Sequence, residues 1–162
     1  MSSQSAIRRL AELHPDTEIW WDSSPLLLDV WRADCRQAWT DHPDLLQALD
    51  DLGRFESLQR VFRGCTTNPP LALQAIQDDA DAWRAWIADQ APEATSAEEL
   101  LWTTYLEVLR RGARILAPLW EESSGRYGHI CGQVDPRSLV DTDAMVAQAQ
   151  RLHAVHPNVT VS

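Results

Sequence analysis

The sequence predicts an α/β domain in which four parallel strands are joined by helical crossovers. Short apolar runs typical of strands alternate with longer segments whose apolar residues have helical spacing. That alternation favours parallel strands, because a chain that pairs in parallel must cross back over the sheet between strands. Polar residues follow the strand-like runs, where βα folds carry their chemistry. The four runs lie near residues 18–22, 60–66, 127–134 and 158–162.

The composition is that of one globular domain. The 162 residues are 44% hydrophobic and 23% charged, which allows a sizeable core. A net charge of −10 with scattered arginines argues against nucleic-acid binding, which needs a clustered basic surface. No apolar run reaches bilayer length, and residues 1–7 lack a signal-peptide core. We therefore expect a cytoplasmic protein with no membrane contact.

Common catalytic and metal-binding patterns are absent from the sequence. No nucleophile elbow, P-loop or glycine-rich dinucleotide loop occurs. The cysteines lack CxxC spacing and three histidines share no ligand spacing, so we expect neither a disulfide framework nor a metal site. These residues are Cys35, Cys65, Cys131, His129, His153 and His156. All 14 basic residues are arginine, and the chain contains no lysine.

The first third of the chain predicts one strand and two helices. The strand near 18–22 closes on Asp22, and Ser24 with Pro25 supplies an N-cap and a first-turn proline. Helical spacing then predicts a helix from about Pro25 to Trp39 and a second helix that ends at Gly53.

The middle of the chain predicts a strand and a longer helical region. Asn68 and the proline after it have the form of a helix start, and helical spacing continues to about residue 89. Ser96 begins a long amphipathic helix, which we expect to be interrupted near Pro118.

The last third predicts a strand, a helix and a short final strand. The two glycines in the run near 127–134 predict tight packing or a barrel interior. A helix is predicted to start near Asp141, before the fourth strand. The eight tryptophans fall mostly on apolar helical faces, which favours core or interface packing over an aromatic binding surface.

Polar residues at three predicted strand ends, Asp22, Asn68 and the Gln133/Asp135 pair, allow a functional or a structural interpretation. Asp22 either belongs to a functional site or precedes an N-cap turn, and Asn68 either contacts a ligand or caps a helix. Gln133 needs hydrogen-bond partners in a polar site or in the core. The segment from Asp135 to Arg137 has the form of a turn with a local ion pair.

Three segments together resemble the transaldolase family. They are IWWDSS (19–24), GCTTNPPL (64–71) and GQVDPRSLVDTDAMVAQAQRL (132–152). They follow the order of that family's WLD-type, TTNP-type and EVDPR-type strands, and TTNP and VDPR are the specific elements. The resemblance implies the N-terminal half of a (β/α)₈ TIM barrel, with residues 1–162 as a single half-barrel domain.

The resemblance also implies an activity and its residues. Transaldolases transfer a dihydroxyacetone unit between sugar phosphates in pentose-phosphate-type metabolism through a lysine Schiff base, without a metal or organic cofactor. On the matching positions Asp22 takes the acid/base role, and Asn68 with Thr67 binds the substrate. Gln133 stands at the position of a proton-transferring glutamate, and Ser162 at the position of the lysine.

The departures from the family pattern lead to two hypotheses. A Schiff base needs an amine that can lose its proton, and arginine cannot supply one. Gln133 cannot exchange a proton as a carboxylate does. The chain is therefore expected to act as a transaldolase when a lysine-bearing second half completes it, or to be a non-catalytic sugar-phosphate-binding or scaffold subunit. Because four strands cannot close a barrel, we expect a fragment, a partner half-barrel polypeptide or a homo-oligomer.

Overall fold

Four parallel strands form one sheet in which the strands lie in chain order. The computed structural model describes residues 5–14 and 16–162. The strands are β1 (Ile19–Asp22), β2 (Phe62–Thr67), β3 (His129–Gly132) and β4 (Val159–Val161), and β1 and β4 lie at the edges. The helices are α1 (Ala6–Leu13), α2 (Leu28–Ala38), α3 (Pro43–Leu52), α4 (Pro69–Asp78), α5 (Ala80–Gln90), α6 (Ala97–Glu122) and α7 (Thr142–His153).

The predicted fold class is confirmed. All three strand pairs are parallel, and helices connect each strand to the next. This architecture is consistent with part of a (β/α)₈ barrel. That the whole chain is one half-barrel domain stays a prediction. Among the described residues no helix is both long enough and apolar enough to cross a bilayer.

Several predicted elements are corrected by the structure. The long helix α6 is not interrupted at Pro118 but continues to Glu122, because Leu116 and Leu119 on either side of the proline are fully buried and fix the helix to the core. The third strand is shorter than the predicted run near 127–134. Ser24 lies at an N-cap position, but its hydroxyl is buried and has no hydrogen-bond partner among the described residues.

Helix α1 was not predicted from the sequence. It has no buried residue and is held by local contacts: the Ser5 hydroxyl accepts from the Arg8 N–H, and Arg8 pairs with Glu12 one turn later. A helix held by such local pairs has no buried apolar face, so the spacing of apolar residues does not predict it.

The core lies between the sheet and α6. Side chains of β2, β3 and β4 that face α6 are almost fully buried, among them Cys65, Ile130 and Val159. Gly132 allows this approach, because a Cβ atom there would lie 2.8 Å from a Leu109 methyl carbon. The tight packing predicted for the glycine-containing strand is therefore found on the helix side of the sheet.

The opposite side of the sheet is not covered by these helices, and we call it the open face. Because side chains alternate along a strand, the open face carries Asp22, Thr66, Cys131, Thr160 and Gln133. All five are at least partly exposed, whereas Cys65, Thr67, Ile130 and Val159 on the other side are buried. The open face is therefore mostly polar, and the ring of Trp20, which lies over Gly64, is its large apolar group.

Gly128, just before β3, is the position where substitution should be most costly. Its φ is +80°, and an added Cβ would lie 2.5 Å from the Trp120 backbone nitrogen. We expect Gly128→Ala to lower the free energy of unfolding by at least about 2 kcal/mol, because backbone strain and overlap add.

The matched control is Gly125, which has a similar φ of +83° but whose nearest neighbour to an added Cβ lies 3.5 Å away. Gly125→Ala should cost only about 1 kcal/mol. Urea unfolding measures both variants, and equal losses would contradict the packing argument.

Candidate functional site

The carboxyl ends of the four strands meet along one edge of the sheet. Asp22, the last residue of β1, lies directly beside Thr66 of β2. The Thr66 hydroxyl donates a hydrogen bond to the Asp22 carboxylate, which is solvent-exposed. Asp22 therefore precedes the turn but also presents a carboxylate at the open face. Thr66 was not identified from the sequence, because its contact with Asp22 depends on the strand register.

Asn68 caps helix α4 at the end of β2. Its side-chain oxygen accepts a hydrogen bond from the Leu71 N–H at 3.0 Å, and its backbone is extended, as N-cap geometry requires. Capping uses only the amide oxygen. The side-chain NH₂ group donates to no other group among the described residues, so it is available to a ligand.

Gln133 and Ser162 are neighbours across the end of the β3–β4 pair. The Ser162 N–H donates to the Gly132 carbonyl at 2.9 Å, and the Val134 N–H donates to the Ser162 carbonyl at 3.4 Å. This pattern puts Ser162 opposite Gln133. The Gln133 amide is half-buried and forms no side-chain hydrogen bond with the described residues, so the polar-site interpretation suits it better than a satisfied core contact.

Thr67 differs from the other predicted substrate-binding residues. Its side chain is fully buried, and its hydroxyl donates to the Ser23 carbonyl at 3.2 Å. The structure therefore does not bring the Thr67 side chain to the open face with Asp22 and Asn68. The Thr67 carbonyl oxygen, however, accepts a hydrogen bond from the Tyr105 hydroxyl at 2.7 Å.

Tyr105 of α6 connects the ends of β2 and β3. Besides donating to Thr67, its hydroxyl accepts a hydrogen bond from the Gln133 N–H at 2.9 Å. Burial raises the pKa of Tyr105 to about 12, so the hydroxyl stays protonated at neutral pH. The sequence shows Tyr105 only as part of the apolar stripe of a helix. The one indication of its role was that a buried tyrosine hydroxyl needs a hydrogen-bond partner.

The predicted turn after β3 contains the expected ion pair. The Arg137 side chain donates to both carboxylate oxygens of Asp135, and these hydrogen bonds hold the pKa of Asp135 below its ordinary value. Arg137 also contacts Glu98 at the start of α6. These contacts are those of a structural turn, as the sequence suggested. In the described parts of the chain no three His, Cys, Asp or Glu side chains are placed to hold a metal ion.

A groove lies away from the strand ends, between α2 and α3. This groove has a volume of about 670 Å³ and is lined by charged side chains. Its arginines are engaged by carboxylates: Arg36 and Arg32 contact Asp50, Arg54 contacts Asp29 and Arg60 contacts Glu56. Paired charges make this groove a poor anion site, and we favour the strand ends on chemical grounds.

Parallel strands joined by helices, with polar residues at the carboxyl edge of the sheet, define a protein of the βα-barrel type. A family model described as Transaldolase/Fructose-6-phosphate aldolase matches residues 38–161. The chain belongs to that family.

Relatives at about one-third identity are named transaldolases. The Mycobacterium leprae protein "Transaldolase" is 33% identical over 124 residues, which cover 70% of this chain and 33% of the relative. The Kocuria rhizophila protein "Transaldolase" is 32% identical over 113 residues, 64% of this chain and 30% of the relative. "Transaldolase 2" of Streptomyces coelicolor is 34% identical over 94 residues. The chain spans about a third of the length of the first of these relatives.

The capping role of Asn68 can be tested by substitution. Asn68→Ala removes the cap and should lower the free energy of unfolding by about 1 kcal/mol. Asn68→Asp keeps an oxygen acceptor for the Leu71 N–H at the start of α4 and should preserve stability. Thermal or urea unfolding measures the difference, and equal destabilisation by the two substitutions would contradict the capping role.

Proposed function

We propose that the chain supplies a sugar-phosphate-binding site of the transaldolase type at the carboxyl ends of its strands. Family membership supports the substrate class. The observation that carries the proposal is that Asp22, Asn68, Gln133 and Ser162 follow adjacent parallel strands along one edge of the sheet. A carboxylate, two amides and a hydroxyl together offer both donors and acceptors, which suits a polyhydroxylated ligand.

Each residue has a role that its chemistry allows. The exposed Asp22 carboxylate accepts hydrogen bonds from sugar hydroxyls and is the acid/base candidate of this edge. The Asn68 NH₂ group donates to the ligand while its oxygen caps α4. The Gln133 amide both donates and accepts but transfers no proton. The Ser162 hydroxyl lies beside it, at the position where the family pattern has its lysine.

Transfer of a dihydroxyacetone unit requires an amine that this chain's side chains do not provide. In the proposed enzyme the amine comes from a second half-barrel polypeptide. The alternative is a non-catalytic sugar-phosphate-binding or scaffold subunit, and Gln133 together with the absence of lysine favours that alternative for this chain by itself. Both functions belong to cytoplasmic sugar-phosphate metabolism of the pentose phosphate type.

The edges of the sheet are where a partner would attach. Beside the edge strand β4 is a groove of about 520 Å³, lined by Val146, Ala149, Val159 and Val161 among others. An unpaired strand edge next to apolar side chains favours association. We propose that a second half-barrel polypeptide or a second copy of this chain covers it.

The position of the reactive amine can be tested by restoring it. The variant Ser162→Lys with Gln133→Glu should form an imine with fructose 6-phosphate: the amine nitrogen bonds to the carbonyl carbon and the oxygen leaves as water. Borohydride then adds hydride to that carbon, and the nitrogen takes a proton from water. Mass spectrometry of peptides should locate a saturable adduct at position 162, whereas the unaltered chain should show none on a side chain.

The control places a lysine on the exposed surface of α4, as Gln77→Lys. Since that position lies at the far end of α4 from Asn68, its amine should be labelled only slowly and without saturation. Equal labelling at positions 77 and 162 would contradict the proposed site.

A further inference from the structure

The hydrogen bonds of β3 show which neighbour each of its residues faces. The Ile130 N–H donates to Asn158 at 3.0 Å, and Gly132 accepts from Ser162 at 2.9 Å. Even-numbered residues of β3 therefore bond to β4, and odd-numbered residues face β2. Because Thr67 is paired with Gly132, a regular ladder would continue with the Gln133 N–H donating to the Thr67 carbonyl.

The Tyr105 hydroxyl stands between these two groups. It accepts from the Gln133 N–H at 2.9 Å and donates to the Thr67 carbonyl at 2.7 Å. The last connection between β2 and β3 is thus mediated by the side-chain oxygen of Tyr105 and not by a direct backbone hydrogen bond. An inserted oxygen holds the donor and acceptor further apart than a direct hydrogen bond would, so the two strands separate where the candidate site begins.

Tyr105 is rigidly held. Its side chain is 7% exposed, and its ring meets Trp102 edge-on with centroids 6.0 Å apart. A buried hydroxyl with both a donor and an acceptor partner has little freedom to move. The spacing it imposes is therefore a fixed property of α6 and the sheet.

We propose that Tyr105 is a positioning residue that sets the separation of Asn68 and Gln133 by spacing the ends of β2 and β3. Asn68 follows Thr67 directly, and Gln133 is itself the residue whose N–H is held. The ligand part of this inference rests on the proposed sugar-phosphate site. The strand-spacing part stands on the hydrogen bonds alone.

The test is Tyr105→Phe, which keeps the ring and removes the hydroxyl. Without the hydroxyl the Gln133 N–H loses its hydrogen-bond partner, and the spacing between the ends of β2 and β3 is no longer fixed. Amide hydrogen exchange at Gln133 should become at least about tenfold faster, while that at Cys131, deeper in the ladder, stays unchanged. The affinity for fructose 6-phosphate, measured by calorimetry, should fall on the order of tenfold.

Tyr127→Phe is the matched control. Tyr127 is half-buried with Arg63 and Arg126 each 5.0 Å from its ring centroid, and its hydroxyl has no hydrogen-bond partner among the described residues. Its substitution should leave both the exchange at Gln133 and the affinity unchanged.

The outcomes separate this inference from the proposed function. If the unaltered chain does not bind fructose 6-phosphate, the proposed function fails, and the exchange at Gln133 still decides the role of Tyr105. Unchanged exchange and affinity in Tyr105→Phe would overturn the inference, and so would a uniform rise in exchange across β2 and β3 with a lowered Tm. If Tyr105→Phe does not fold, the unaltered chain provides the test. Fructose 6-phosphate must shift the NMR signals of both Gln133 and the Tyr105 ring, and a bound state in which either signal stays unshifted overturns the inference.

Discussion

Close contact between α6 and the sheet is the constraint on which the rest of the structure depends. A Cβ atom on Gly112 of α6 would lie 2.7 Å from the Ile130 side chain, and one on Gly132 of β3 would lie 2.8 Å from Leu109. Helix and sheet therefore meet at two places where a glycine provides the space. At this distance Tyr105, on the same helix, reaches the ends of β2 and β3. Packing between α6 and the helix side of the sheet therefore sets the spacing of the strand ends at the open face.

The open face combines groups that bind sugars more readily than they transform them. Asp22 provides one exposed carboxylate, while Asn68, Gln133 and Ser162 provide amides and a hydroxyl. Amides and hydroxyls orient a polyol without exchanging protons with it at neutral pH. The proposed transferase therefore depends on an amine from outside these four groups, whereas the proposed binding subunit does not.

Much of the fold could be predicted from the sequence, because strand ends, caps and helical stripes are local patterns. Asn68 before Pro69 specified the start of α4, and the alternation of runs specified parallel pairing. Thr66 and Tyr105 could not be found, because their contacts join residues 44 and 28 positions apart and depend on register and helix placement. The interruption predicted at Pro118 was wrong for a related reason. The burial of Leu116 and Leu119 outweighs the low helix propensity of proline.

We propose above that a sugar phosphate binds at the carboxyl ends of these four strands. A titration of the ¹⁵N-labelled chain with fructose 6-phosphate, followed by NMR, tests it most directly. We expect saturable shifts centred on the backbone amides of Asn68, Gln133 and Ser162. Shifts confined to the arginine-lined groove between α2 and α3, or no saturable shift at all, would contradict it.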